Sequence, residues 1–251
     1  MSLQDPFRGQ VITRSPASRP LRGCFANGGW SLGDTLRVRC AVRRPPRPVA
    51  GPAAEAGGNS LATSCRWEKG MIDLRSDQIS LRSIQQSDAS RIFTYRSNPE
   101  IYRYQLWQPN SIEEVNEFIN NGIVNEPNIP NTWFQLAICK NDNNELIGDC
   151  GIHFLERETD QIEFGITLDK DYQGYGYASQ ALKMLFTYIF IDLHKHRIVA
   201  SVDPRNIPSI KLLERMKMRK EAYFMESIKS GDQWVDDIVY AILDREWKCV
   251  Q

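Results

Sequence analysis

Between Ile79 and Leu243 short apolar runs alternate with turn signals, and only one stretch keeps a helical period for about four turns. That pattern limits the chain to a sheet covered by a few helices. Strand-like runs fall at residues 79–84, 133–139, 145–154, 161–168, 197–202, 222–228 and 235–243. Asn141-Asp142-Asn143-Asn144 and Ser230-Gly231-Asp232 carry the turn chemistry of hairpins, and a further turn falls near Glu158-Thr159-Asp160. Ser87-Asp88 predicts the start of a helix running to about residue 95, and Ser111-Ile112-Glu113-Glu114 has the form of a capping box for a second, to about residue 120. Ala178, Ala181, Leu182, Leu185, Ile189 and Leu193 recur at helical spacing and define the long helix; residues 209–216 form a shorter one. The predicted class is α/β in the broad sense (α+β), a single mixed, mostly antiparallel sheet with flanking helices.

Composition separates this domain from what precedes it. Residues 1–70 hold eleven basic and four acidic side chains, a surplus of +7, with seven of the thirteen prolines and nine of the sixteen glycines. Residues 71–251 hold the remaining twenty basic and twenty-seven acidic side chains, so the zero net charge is a cancellation. The front segment shows no sustained period of 2 or 3.6. Stretches such as Arg43-Arg44-Pro45-Pro46-Arg47-Pro48 bury too little apolar surface to offset ordering entropy, which predicts disorder and no part in catalysis. A targeting leader, a basic arm for a polyanion and translated sequence upstream of the true start are three readings of it. Six cysteines without CxxC spacing read as reduced thiols of a cytoplasmic protein, and the three histidines form no His/Cys set for a metal. No run of about 18 apolar residues occurs, so no membrane span is predicted.

The chemistry concentrates at Gln173-Gly174-Tyr175-Gly176-Tyr177-Ala178, between a strand and the long helix. Such a turn leaves backbone N–H groups at the positive end of a helix, which suits a pyrophosphate, and glycine is needed where a phosphate approaches the backbone. A tight strand-to-helix turn explains two glycines equally well. No Gly-Lys-Ser/Thr follows, against a P-loop, and Ser179 stands where a dinucleotide fingerprint needs its third glycine.

Three motifs in order resemble the GNAT superfamily of acetyl-CoA-dependent N-acetyltransferases. Gln173-x-x-Gly176-x-Ala178 follows Ile162-Glu-Phe-Gly-Ile166 and precedes Ala181-Leu182, as in that family's acetyl-CoA loop. Asn206-Ile-Pro-Ser209-Ile-Lys-Leu-Leu-Glu214 is similar to a helix of its Rim-type branch, which includes ribosomal-protein N-terminal acetyltransferases. Glu221-Ala-Tyr-Phe-Met-Glu226 and Gly231-Asp-Gln-Trp234-Val-Asp236 look like that branch's closing hairpin. The resemblance spans about 170 residues and implies the acyl-CoA N-acyltransferase fold over residues 71–251, with acetyl-CoA as co-substrate and no metal. It departs at Leu213, where many members place a tyrosine as general acid, and at Lys217-Met218, where Gly-Phe is usual.

The resemblance implies that main-chain groups of Ile166, Thr167 and Leu168 pair with the pantetheine arm, entering where this strand and the next splay apart. Residues 173–178 would hold the pyrophosphate, Asn206 would touch the arm, and Ser209 would position or protonate the sulfur. Glu163 and Glu226 are the carboxylates at positions of a general base. Tyr104 and Trp107, aromatics of the loop before the second helix, read either as lining an acceptor groove or as core packing. A peptide α-amine, with pKa near 7.8, is partly neutral at cellular pH, whereas a lysine near 10.4 is almost wholly charged, so an α-amine needs only a weak base.

The leading function is acetyl transfer to a protein N-terminal α-amine or small amine by direct attack in a ternary complex. Acetylation of an antibiotic or polyamine, and a catalytically silent acyl-CoA-binding module, are the alternatives; the acidic body attracts any cation alike. Nucleic-acid binding has only the front arginines in its favour, without interleaved aromatics, and a homodimer is left open. Removal of residues 1–70 is expected to leave thermal stability and acetyl-CoA affinity in place. A melting temperature lowered by many degrees, or lost ligand binding in titration, contradicts this.

Overall fold

The computed structural model describes residues 72–105, 107–156 and 160–249. The front segment, and the turn near Glu158 and Thr159, lie outside the described residues. Eight strands form one sheet in the order β1-β2-β3-β4-β5-β6-β8-β7: β1 (Asp73–Arg75), β2 (Ile79–Ser83), β3 (Thr132–Lys140), β4 (Leu146–Phe154), β5 (Gln161–Leu168), β6 (Arg197–Val202), β7 (Arg219–Ser230) and β8 (Gln233–Leu243). All neighbours pair antiparallel except β5 and β6, so the sheet is mixed as the pattern predicts. The chain adds β1, which the sequence reading leaves out, and a closing helix α6 (Asp244–Lys248).

Helices cover both faces. On one face lie α4 (Tyr177–Thr187), extended by a π-helical turn to Asp192, and α5 (Ile207–Arg215). Ala181, Leu182, Leu185, Phe186 and Ile189 share a face by their 3–4 spacing, and all are fully buried against Ile162, Phe164, Ile198, Ala200 and Ile242. Phe164 and Phe186 meet edge to face at 5.1 Å between centroids, within the favoured range for such pairs. On the opposite face lie α1 (Ala89–Arg96), α2 (Pro99–Tyr102) and α3 (Ile112–Glu117), where Ile92, Tyr95, Trp107, Val115 and Phe118 pack on Trp133, Ala137 and Cys139. Ser111 caps α3 by accepting from Glu114 N–H at 3.3 Å, while the Glu114 carboxylate accepts from Asn110 N–H at 2.8 Å rather than closing a full capping box. The unpredicted α2 has its own start signal, Asn98 as N-cap followed by Pro99 at the first position.

A buried ion pair pins α1 to the sheet. Arg96 and the Asp149 side chain on β4 are both shielded from water and ion-paired; Tyr95 Oη donates to Asp149 Oδ1 at 2.6 Å and Gln135 Nε2 donates to Oδ2. The Arg96 guanidinium also lies 5.0 Å over the Trp107 ring. Removing one partner of a buried pair strands the other charge in low dielectric. Arg96→Met is therefore expected to cost about 3–5 kcal/mol. Tyr95→Phe, which removes one hydrogen bond to the carboxylate, should cost about 1.5–3 kcal/mol. Urea denaturation of the two variants checks both values and their order.

Candidate acetyl-transfer site

The site begins where the sheet comes apart. β5 pairs with β4 along residues 162–168, but with β6 only at Gln161↔Arg197, Ile162↔Ile198 and Glu163↔Val199. Beyond Glu163 the two parallel strands diverge, while β6 stays in register with β8 as far as Val202↔Ile238. Gly148 keeps β5 on the β4 side of this fork. A Cβ there would lie 2.3 Å from the Thr167 carbonyl oxygen, so only glycine permits this approach. The fork opens a cleft of about 740 Å³. One edge of residues 164–168 thus has no strand beside it, and its main-chain groups are available to an extended ligand.

Past β5 the chain turns into α4 through the glycine loop. Gln173 Nε2 donates to the Leu168 carbonyl at 3.1 Å, Tyr172 Oη donates to Glu145 Oε1 at 2.6 Å, and Arg91 pairs with Asp169 at 2.7 Å. The loop is thereby fastened to the strand it leaves, to the turn before β4 and to α1. Gly174 (φ +88°) and Gly176 (φ +86°) adopt a left-handed backbone, and a Cβ at either would meet no atom within 4 Å. Gly176 is the N-cap of α4 and supplies no side chain to cap it, so the first-turn N–H groups of α4 meet no capping side chain. Arg215 Nη1 donates to Ser179 Oγ at 3.1 Å in that first turn, and Lys211 joins it on the cleft wall one turn away on α5. Uncapped N–H groups, a helix dipole and two cations form a cradle for a polyphosphate, with empty space where the glycines lack side chains. The residues present therefore fit the pyrophosphate and pantetheine of acetyl-CoA.

Ile166, Thr167 and Leu168 border the cleft, as do Gln173, Gly174, Gly176, Tyr177 and Ala178 of the loop. Asn206 and Ser209 reach it from the start of α5, where Asn206 Oδ1 accepts from Ser209 N–H at 3.2 Å and caps the helix. Tyr104 enters it from the far side, in the stretch following α2. Thr167 receives a hydrogen bond from Gln105 Nε2 at 3.0 Å, which ties that stretch to the strand.

Other residues singled out in the sequence are placed elsewhere. Tyr175 is 68 % exposed and leans on Tyr177 at 6.0 Å between centroids, outside the cleft wall. Trp107 is buried beside Phe118, its Nε1 donating to Glu114 Oε1 at 3.3 Å, so it is a core residue and does not line the groove. Glu163 is buried with His153 Nδ1 3.0 Å from its Oε2, and the His153 ring stacks on Trp133. Glu226 sits exposed in a bulge at φ +44°, its N–H donating to Asp236 Oδ1 at 2.7 Å. Neither carboxylate belongs to the cleft wall. Leu213 is buried in the core below α5.

Lys211, Arg215 and Asp237 are among the wall residues that escape the sequence reading. Lys211 and Arg215 share the face of α5 that carries Pro208 and Leu212, and their 4-residue spacing beside the glycine loop was the available signal. The third is Asp237, the second of two consecutive acids in β8, just before its apolar run. It is 5 % exposed, it accepts from Ser201 Oγ across the strand, and burial first of all pushes its pKa up to about 6. Strand alternation separates it from Ile238, Tyr240 and Ile242, which face α4 and α5, and puts it on the face of α1–α3. Among the described residues no three His, Cys, Asp or Glu side chains converge as a metal site, and no helix is long and apolar enough to cross a membrane.

Comparison with known proteins gives the same architecture. The family model described as an acetyltransferase (GNAT) domain matches residues 78–219. The N-acetyltransferase p20 of Bacillus licheniformis is 29% identical over 178 residues, covering 70% of this chain and 99% of that protein. The [ribosomal protein uS5]-alanine N-acetyltransferase of Escherichia coli is 25% identical, with 70% and 93% covered. A GNAT-family acetyltransferase structure from Bacillus anthracis superposes with a TM-score of 0.62 at 26% identity, covering 69% of this chain and 99% of that one. A spermidine N-acetyltransferase from Vibrio cholerae, in complex with CoA and spermine, gives a TM-score of 0.60 at 22% identity, with 69% and 99% covered. With the family model matching more than half of its length and the forked sheet in place, the chain belongs to the GNAT family of acetyl-CoA-dependent N-acetyltransferases.

Proposed function

We propose that the chain transfers the acetyl group of acetyl-CoA directly to a primary amine in a ternary complex, the acceptor being a protein N-terminal α-amine or a small amine. The observation that carries this reading is the fork between β5 and β6, which opens the cleft to both faces of the sheet. From the α4–α5 face the coenzyme reaches the open edge of residues 166–168. From the α1–α3 face, between Tyr104 and the β7–β8 hairpin, the amine reaches the same gap. Acetyl-CoA supplies a thioester whose thiolate, with a cysteine-like pKa near 8.5, leaves readily at neutral pH. This chain's contribution is alignment, a hydrogen bond to the thioester oxygen from the strand edge, and a hydroxyl for the sulfur. Ser209 is that hydroxyl, because Leu213 has no acidic proton to give and lies in the core. The uS5-alanine acetyltransferase among the relatives supports an α-amine, as does the modest basicity such an acceptor requires.

The test is release of coenzyme A thiol from acetyl-CoA by the full chain, with and without peptides bearing free or blocked N-termini, lysine, spermine and aminoglycosides. Amine-dependent release with the free N-terminus preferred is the expected result. Release that no amine accelerates rules the reading out. Gly176→Asp places a carboxylate beside the cradle and forces an L-residue to φ +86°. It should lose about 1–2 kcal/mol of stability to that strain, and its calorimetric affinity for acetyl-CoA should fall more than tenfold. Ser209→Ala should lower the turnover number by roughly tenfold to a hundredfold, about 1.4–2.7 kcal/mol of barrier, with little change in KM for acetyl-CoA.

A further inference from the structure

We propose that the Asp237 carboxylate is the proton acceptor for the amine, with Ser201 as its positioning residue; this rests on the amine-acetyltransferase reading. Three observations place it there. Asp237 is one of the few carboxylates of the cleft wall, and it is held at 5 % exposure where β6 and β8 continue together after β5 has left. Its side chain emerges on the face of α1–α3, opposite α4 and α5, so it lies on the side from which an acceptor enters. Its orientation is fixed, because Ser201 Oγ donates to Oδ1 and the side chain has little room to turn.

The chemistry fits the position. Acceptor amines arrive mainly as ammonium ions, and attack requires the lone pair. Asp237 takes one proton from the ammonium. The neutral nitrogen then forms an N–C bond to the thioester carbon as the C–S bond breaks and sulfur leaves with the bonding pair. Of the two hydrogens still on nitrogen, one stays on the amide and the other ends on sulfur as the free thiol; Asp237 returns its proton to solvent. Burial is the first cause of its raised pKa, and the nearby Asp203 adds to the rise, whereas Ser201 and the main-chain N–H groups of Val202 and Ile238 oppose it. A carboxyl near 6 lies only ~1.8 units below an α-amine but ~4.4 units below a lysine, so the transfer is feasible for the first and steeply uphill for the second.

The charged groups around it are already engaged or lie across the cleft. Asp203 at the end of β6 is paired with Arg205, and Asp236 on β8 accepts from Tyr223 Oη. Lys229 on β7, and Glu100, Arg103 and Tyr104 in and after α2, line the same cleft. Thr167 of β5 lines the same cleft, its hydroxyl accepting from Gln105 Nε2. Asp237 alone among these acids combines burial with a place on the wall beside the fork.

The experiment is the pH dependence of the turnover number at saturating acetyl-CoA and saturating peptide α-amine. The wild-type profile should fall on the acid side with a midpoint near 6, where Asp237 becomes protonated. Asp237→Asn should lower the turnover number at pH 7 about a hundredfold or more and flatten that limb, with calorimetric affinity for acetyl-CoA unchanged. Ser201→Ala removes a hydrogen bond that favours the ionised form, so the limb should move about one unit toward higher pH while the protein stays folded. The inference is overturned if Asp237→Asn retains the limb, if Glu163→Gln removes it instead, or if Ser201→Ala leaves it in place. A wild-type chain that transfers acetyl to no amine instead defeats the reading on which it rests.

Discussion

Two adjacent parallel strands that pair for only three residues control everything else about this site. Parallel β5 and β6 are joined at residues 161–163, then each keeps its outer partner and loses the inner one. A sheet interior broken in this way leaves main-chain donors and acceptors without a ladder, a cost tolerated only where a ligand or water supplies the missing partner. The fork is held open by the strands that stay paired: β4 grips β5 through the close approach at Gly148, and β8 grips β6 through six registered pairs. The glycine loop and the N-terminus of α4 then begin where β5 ends, which sets the anion cradle at the mouth of the gap.

The buried acid–base network on the opposite face has a positional role. Arg96, Tyr95 and Gln135 converge on Asp149, and Arg96 and Gln105 continue the chain of contacts toward Thr167 on the cleft wall. Stability alone does not require it, since well-packed apolar groups in place of a buried ion pair are often as stable. What a fully bonded network gives is one registration of α1 and the stretch after α2 against β4 and β5. That registration decides where Tyr104 stands relative to the fork.

The sheet and its main helices were legible because period and turn chemistry coincide there. The run at 161–168 and the run at 197–202 match β5 and β6 residue for residue, and Gly176 sits at the left-handed N-cap that the loop requires. Short elements such as β1 and α2 were missed, being three and four residues long and stabilised by neighbours rather than by their own pattern. Where the cleft wall is made of backbone the sequence placed its residues there: 166–168 and, Tyr175 apart, 173–178 border the cleft. It was not readable where it depends on which face of a strand meets which neighbour. Glu163 and Trp107 have the right chemistry, yet packing turns one toward His153 and the other into the core with Phe118. Asp237 looked like one of two consecutive acids in a hairpin; only the placement of Ser201 and the fork distinguishes it from Asp236 beside Tyr223.

The cleft is also electrically graded. Lys211 and Arg215 on α5, with the uncapped start of α4, make the coenzyme end positive, whereas Asp203, Asp236 and Asp237 gather at the end shared by β6 and β8. On the proposed reading, an anionic coenzyme and a cationic acceptor are drawn to different ends of one cavity, and a charge placed at the wrong end meets repulsion. The carboxylates at the acceptor end are not equivalent. Asp203 and Asp236 are tied to Arg205 and Tyr223, and hydrogen bonding to Tyr223 holds the Asp236 carboxyl below the usual range, so it remains a fixed anion. Asp237, dehydrated beside them, binds a proton more tightly than Asp236. On the proposed reading, one strand end combines the fixed anion of Asp236 with a group that titrates near neutral pH, the first holding an ammonium in place while the second changes its charge.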